Sequence, residues 1–338
     1  MQPAYCMPSA STIHIGRLAG SISLESSAVE LLTEDVTPSP LPMPQQPPRA
    51  RPISATPITP VTSWDIRPAV SDLLLEHADS IQKMRSILEG EPMFVPQLHD
   101  DLFLLRFWLS HASKRNPAKS ITRAADAARV TIKYRAHHGL DDVDIRHDWP
   151  NPQSRTPIYR KFFDCFRAGC LRHTIPNNDR GLVTFFQISG MDPKLMLAKL
   201  SEDEQRASAA RFAEWSFQIL DAATRRTGRL TKAARLIDFR GANFSAVLDR
   251  DLNKREATIA KAFEDHYPQV LGHVFIIDPP GWIQLVWRVL APFFPKRFVE
   301  KVALVSTKKP DDVRRLLPYI SAEDLPVRFG GENSSWEW

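Results

Sequence analysis

Residues 263–298, FEDHYPQVLGHVFIIDPPGWIQLVWRVLAPFFPKRF, limit the possible folds more than any other part of this chain. Val274 to Ile277 form an unbroken β-branched and aromatic run, the pattern of a strand covered on both faces. Pro279 and Pro280 end that strand. Beyond them Trp282, Ile283, Leu285, Val286, Trp287, Val289 and Leu290 occupy nearly every side of a helix, with only Gln284 and Arg288 polar. A helix apolar all round must be buried in protein or in lipid. The chain therefore needs a buried strand and, beside it, an unusually apolar helix with something to cover it.

The remaining composition provides for such a core. With 43% hydrophobic and 25% charged residues among 338, the chain can bury a substantial interior in one or two domains. Lys and Arg number 44 against 39 Asp and Glu, a mild excess that favours anionic surfaces. No basic stripe with interleaved stacking aromatics accompanies it, so no nucleic-acid partner is expected. Cys6, Cys165 and Cys170 do not make a disulfide framework, and Cys165 and Cys170 read as buried free thiols. There is no secretory leader pattern, and no run reaches the ~18 apolar residues of a membrane span. The expectation is a cytoplasmic protein with at most peripheral membrane association.

Residues 1–63 belong to another physical class. From Thr37 to Pro60 prolines recur every few positions, excluding helix interiors and sheet ladders and leaving extended, solvated chain. Within it Pro44-Gln45-Gln46-Pro47-Pro48-Arg49 has the PxxPxR form that SH3-type domains read, or is simply part of a solubilising linker. Met1 to Leu24 is Ser-rich with Arg17 and no acidic residue, a faint organelle-targeting pattern weakened by Glu25, Glu30, Glu34 and Asp35.

The ordered part is expected as a helical lobe over 64–148, an α/β lobe over 149–331 and a short tail over 332–338. Leu74, His77, Ile81, Met84 and Leu88 recur at helical spacing from near Ser71. Asp100 to His111 and Ser120 to His137 read as two more helices. Thr156-Pro157 opens a helix expected to run to Gly169. A hairpin follows, Cys170 to Ile175 and Leu182 to Ile188, turning at 176–179. Ser201 with Glu204 three residues later is a capping box opening a long helix. Strands over Arg235 to Phe239, His273 to Ile277 and Val302 to Val305 alternate with helices, one of them over about Arg250 to His266, which predicts a largely parallel sheet.

Motifs for enzymatic chemistry are missing. There is no G-x-S-x-G, G-x-x-x-x-G-K-[ST] or G-x-G-x-x-G, and only 13 glycines are available for tight phosphate-cradling turns. His137, His138, Asp141, Asp142, Asp144 and His147 read as a solvated acidic loop rather than a metal site. Asp238 and Asp278 at strand ends are either a carboxylate pair for acid–base work or structural groups.

Several blocks, in order, carry a family resemblance. Tyr267-Pro268, the strand HVFIID, the Pro279-Pro280 break, the aromatic helix, Pro292-Phe293-Phe294 and Leu325-Pro326-Val327-Arg328-Phe329-Gly330-Gly331 together resemble the Sec14-like (CRAL-TRIO) lipid-binding family. Asp100 to Lys114, DDLFLLRFWLSHASK, is similar to the LLRFLRA helix of that family, and Leu236 to Ser245, LIDFRGANFS, to its xxDxxG strand and turn. The similarity spans roughly Ser71 to Gly331.

The resemblance implies an α/β fold in which a small N-terminal helical lobe packs on a lobe whose mostly parallel sheet floors an apolar pocket. The implied pocket residues are Phe185, Arg235, Leu236, Phe275 and Ile277. Trp282, Ile283, Val286, Trp287, Leu290, Phe293 and Phe294 would form a mobile gate that docks on membrane, or be plain core. Arg288, Lys296 and Arg297, with Lys301, Lys308 and Lys309 further on, would contact an anionic leaflet. The implied function is non-enzymatic binding and exchange of a phospholipid or other hydrophobic lipid, with no cofactor and no metal. The alternative is a lipid-sensing adaptor that scaffolds partners through its tail without net transfer.

The headgroup positions depart from those members of the family that read phosphatidylinositol. The lysine before their gate Pro-Phe is Ala291 here, and their glutamate ten residues before the Tyr-Pro proline falls at Thr258. Their phosphate-contacting hydroxyls align with Ala233 and Arg235, and Arg235 either neutralises a phosphate or points to solvent.

Overall fold

The computed structural model describes residues 65–334, apart from 114–115, 149, 152–153, 168, 174–178, 243–248, 250, 253, 257–258, 260–264 and 291–298. The proline-rich tail with Pro44 to Arg49, Thr258, Ala291, Phe293, Phe294, Lys296 and Arg297 lie outside the described residues, as does most of the helix expected over Arg250 to His266.

Three helices form the first layer: α1 (Val70–Leu88), α2 (Asp101–His111) and α3 (Pro117–His137). The Asp100 side chain caps α2 by accepting from the Phe103 amide at 3.0 Å. Asn116 caps α3 in the same way, accepting from the Lys119 amide at 3.0 Å. With Pro117 in its first turn, α3 begins three residues earlier than hydrophobic spacing alone predicts. Ile81, Met84 and Leu88 of α1 close on Leu104, Leu105 and Phe107 of α2 and on Ala124, Ala128 and Ile132 of α3.

Next come α4 (Pro157–Phe163), β1 (Leu171–His173), β2 (Val183–Gln187), α5 (Pro193–Lys199), α6 (Glu202–Thr227), β3 (Ala233–Asp238), β4 (Leu271–Ile277), α7 (Gly281–Leu290), β5 (Val302–Val305) and α8 (Pro310–Arg314). The expected capping box opens α6, with Ser201 and Glu204 each bonding the other's backbone amide. Helix α4 stops at Phe163 rather than Gly169 because the chain turns so that Phe166 bridges Met191. Cys165 and Cys170 are both buried and free. A Cβ on Gly190 would come within 2.3 Å of the Cys170 Cβ, so this approach admits only glycine.

The five strands form one sheet in the order β1-β2-β3-β4-β5. The β1–β2 pair is antiparallel and every other pair parallel. Alternation divides the sheet into two faces. On the first face Val183, Phe185, Ala234, Leu236, Phe275, Ile277 and Val305 pack under the C-terminal segment, against Val313, Leu316, Ile320, Leu325 and Phe329.

That segment is fastened by the motif Leu325 to Gly331. Asp238 is fully buried at the end of β3 and takes both Arg240, bidentately at 2.9 Å, and the Arg328 guanidinium at 2.6 Å. Both guanidinium carbons lie 5.4 Å from the centroid of the Phe329 ring. Gly330 has φ +87°, and a Cβ on Gly331 would sit 2.0 Å from the Leu325 carbonyl oxygen. Asp278 accepts instead from the Thr307 amide at 2.8 Å and its hydroxyl at 2.6 Å. These two aspartates thus fasten the ends of neighbouring strands, which is the structural one of their two readings.

The helical lobe grips α6 through charge. Arg135 of α3, 6% exposed, bonds both carboxylate oxygens of Glu214, at 2.7 and 3.1 Å, and Asp141 at 2.7 Å. Burial works against the Arg135 charge, but Glu214 and Asp141 outweigh it and hold the guanidinium above its ordinary range. Arg106 of α2 lies over one ring, Phe217, at 5.7 Å, and Arg135 over the same ring at 5.2 Å. Asp141 is thereby committed to Arg135, and Asp144 to Arg146. Two carboxylates of the acidic loop, Asp141 and Asp144, are therefore engaged by arginine.

Tyr134 stacks on His266 at 4.1 Å, beside the Tyr267-Pro268 turn. Burial pushes the His266 pKa down to about 4, with Asp265 opposing and His138 reinforcing the shift. Because the folded value lies below the unfolded one, the unfolded chain binds the extra proton. Stability contributed by neutral His266 is complete above about pH 6.5 and is lost as the pH falls towards 4, by about 3 kcal/mol. Urea midpoints measured from pH 7 to 4 are expected to fall less steeply for His266→Gln than for the parent chain.

Candidate functional site

The second face of the sheet is where the aromatic helix lies. Ile237, Val274 and Ile276, with the partly buried Phe186, Val302 and Leu304, meet Trp282, Ile283 and Trp287 of α7. Ile283 is fully buried, whereas both tryptophans remain half-buried. Register places two transverse rows on this face. One runs Thr184, Arg235, Val274 and Val302; the next runs Phe186, Ile237, Ile276 and Leu304. The second row is wholly apolar, and polar groups enter the first row only on β2 and β3.

The five pocket residues expected from sequence are therefore divided. Phe185, Leu236, Phe275 and Ile277 lie on the first face, where the C-terminal segment packs against them. Arg235 lies on the second face, the one α7 covers. A strand reverses its side chains at every residue, so Arg235 and Leu236 cannot share a face. Phe186, Ile237, Val274 and Ile276 occupy the positions beside α7 instead. Of the gate residues, Trp282, Ile283 and Trp287 are brought against the sheet. Val286, Arg288 and Leu290 are in α7, but their side chains lie outside the described residues.

Sequence reasoning missed two polar residues near Arg235. Glu256 is half-buried, and the Gln205 amide nitrogen, in the first turn of α6, donates to its carboxylate. Burial raises the Glu256 pKa, while the Gln205 hydrogen bond and the Arg235 charge pull it back. The available signal was positional: Glu256 stands two residues before Thr258, where the family's glutamate was sought. A separate surface cleft of about 360 Å³, lined by Leu197, Glu202, Asp251, Lys254 and Arg255, is too charged to shelter an alkyl chain.

Residues 173–331 match the CRAL/TRIO domain. The SEC14 cytosolic factor of Eremothecium gossypii is 22% identical over 267 residues, 78% of this chain and 78% of that protein. Residues 173–331 form a Sec14-like CRAL-TRIO domain. The SEC14 cytosolic factor of Kluyveromyces lactis is 28% identical to this CRAL-TRIO protein over 266 residues, 76% of this chain and 79% of that one. Patellin-6 of Arabidopsis thaliana is 23% identical over 147 residues, 41% of this chain, so the chain spans only about a third (32%) of Patellin-6. The crystal structure of Sfh5 overlaps 78% of this chain and 88% of its own with a TM-score of 0.44 and 12% identity.

That domain makes this a chain of a lipid-binding and lipid-transfer lineage. Its CRAL-TRIO sheet has one face closed by its own C-terminal segment and the other by α7. Among the described residues no helix is long and apolar enough to cross a membrane.

Proposed function

We propose that the protein binds a single phospholipid or similar lipid between the second face of the sheet and α7, and exchanges it between membranes without chemical change. The observation that carries this reading is the apolar row Phe186, Ile237, Ile276 and Leu304 facing Trp282, Ile283 and Trp287. An alkyl chain laid there avoids water, and each methylene kept dry is worth about 0.8 kcal/mol. Exposing the chains of a diacyl lipid would cost on the order of 20 kcal/mol, so a carrier must open only at a membrane. Helix α7 serves as the gate, because indoles bury large apolar area and favour the membrane interface. Arg288 within α7 and Lys296 and Arg297 beyond it hold an anionic leaflet during opening.

The cargo reading follows from Ala291 and Thr258, which remove the cation and the carboxylate of the inositol-reading pattern. Other phospholipids are therefore carried in preference to phosphatidylinositol. The protein acts at the cytoplasmic side of membranes as a peripheral protein.

Fluorescence transfer between donor and acceptor vesicles tests the gate. Trp282→Ala and Trp287→Ala are expected to slow transfer about tenfold while lowering the melting temperature by only a few degrees, because both rings are half-buried. Folded variants that transfer at the parent rate, or variants that simply unfold, would remove the gate reading.

A further inference from the structure

The polar end of the second face holds charges in an arrangement that narrows the cargo. Arg235 stands beside Thr184 and one row away from Ile237, so it marks the end of an otherwise apolar floor. Glu256, on the chain after β3, feels the Arg235 charge, and Gln205 reaches Glu256 from α6. A cation and an anion placed together in a shielded site are costly unless each is answered by a partner.

The Gln205 side chain supplies the decisive detail. Residue 205 is 1% exposed, and its amide nitrogen is spent on the Glu256 carboxylate, with Met196 Sδ a further 3.7 Å contact. Its amide oxygen has no hydrogen-bond partner among the described residues. Flipping the amide would turn that oxygen towards the carboxylate, acceptor against acceptor, so the orientation is set by Glu256. Two kinds of acceptor therefore stand side by side, the Glu256 carboxylate and the Gln205 carbonyl, and the carboxylate feels the Arg235 charge. A buried acceptor left without a donor is destabilising, so this pair calls for a ligand group bearing several N–H donors.

We propose that this corner recognises a zwitterionic phospholipid headgroup with a primary ammonium, its phosphate against Arg235 and its ammonium shared between Glu256 and Gln205. The proposal rests on the reading of this face as the lipid site. A primary ammonium carries three N–H donors and fills both acceptors. A trimethylammonium carries none and leaves the Gln205 oxygen unanswered. A serine headgroup brings a carboxylate that Glu256 repels, and an inositol brings hydroxyl donors but no positive charge to answer Glu256. Of the four headgroups, phosphatidylethanolamine alone answers both acceptors with a positively charged donor while adding no second anion.

The test loads the purified full-length chain from vesicles containing equimolar phosphatidylethanolamine, phosphatidylcholine, phosphatidylserine and phosphatidylinositol, then identifies the bound lipid by mass spectrometry after re-isolation. Phosphatidylethanolamine is expected to be enriched about tenfold over phosphatidylcholine, the discrimination one charge-assisted hydrogen bond supplies. Glu256→Gln should bring that ratio close to the vesicle composition. Gln205→Met should shift it in the same direction, and serves if the first variant melts early. Arg235→Met should lower loading of all four phospholipids alike. Lipid-loaded protein enriched in choline, serine or inositol lipid, or an ethanolamine preference that survives both Glu256→Gln and Gln205→Met in folded protein, overturns the headgroup assignment while leaving the carrier reading intact. A parent chain that takes up no lipid overturns both.

Discussion

An Asp238→Ala chain is expected to lose about 3–5 kcal/mol of stability, a fall of about 10 °C or more in melting temperature. The size of the effect follows from what the carboxylate holds. It is fully buried and answers Arg240 and Arg328 together, and its loss leaves two guanidinium groups crowded over the Phe329 ring without their shared anion. The damage should also spread. Arg328 is the side chain by which the C-terminal segment grips β3, and that segment supplies Leu316, Ile320, Leu325 and Phe329 to the first face. Amide exchange across residues 313–331 should accelerate with the melt. A triple change, Asp238→Leu with Arg240→Met and Arg328→Met, removes all the charges and should be less harmful than Asp238→Ala alone. A single variant melting within 2 °C of the parent would show that the clamp is dispensable.

Arg135→Ala is expected to cost a similar amount, about 3–5 kcal/mol, by a different route. Glu214, whose side chain is 2% exposed, would lose its guanidinium and keep the Gln218 amide at 2.7 Å, and Asp141 would lose the guanidinium it shares. Phe217 would lose one of the two cations over its ring. Because Arg135 joins α3 to α6, the helical lobe should loosen from the sheet before the sheet itself unfolds. Two unfolding steps in urea, or early proteolysis between residues 138 and 156, would register that loosening. Arg135→Lys should recover little, since one ammonium cannot reproduce a planar fork engaging Glu214 and Asp141 at once. Full recovery by lysine would mean that charge alone, not geometry, holds the junction.

The Asp238 clamp explains why the family was legible in the sequence. The blocks that carried the resemblance are those whose residues are bound to one another across the fold: Asp238 of the xxDxxG strand reaches Arg328 of the closing motif. Two glycines of that motif are fixed by backbone geometry that tolerates nothing larger. Element types were readable for the same reason, since capping residues such as Asp100, Asn116 and Ser201 leave local signals. Helix α5 was overlooked although Asp192 caps it, accepting from the Leu195 amide at 3.0 Å, because its seven residues are too few to show a period. The face proposed for the lipid was less legible. Continuous apolar runs such as VTFF and HVFII carry no polar alternation, so nothing in them distinguishes the face under α7 from the face under the C-terminal segment. Only the register and the packing partners separate Phe186 from Phe185 or Ile276 from Ile277. Gln205 and Glu256 were invisible for another reason: they lie 51 residues apart and become a pair only when α6 folds over the chain that follows β3.

Native mass spectrometry of the full-length protein purified from cells tests the central claim most directly. The account predicts one lipid per chain, retained through purification and released on addition of empty vesicles. Trp282→Ala with Trp287→Ala should keep that stoichiometry but release the lipid more slowly. Apo protein that stays folded and acquires no lipid from any vesicle would contradict the account.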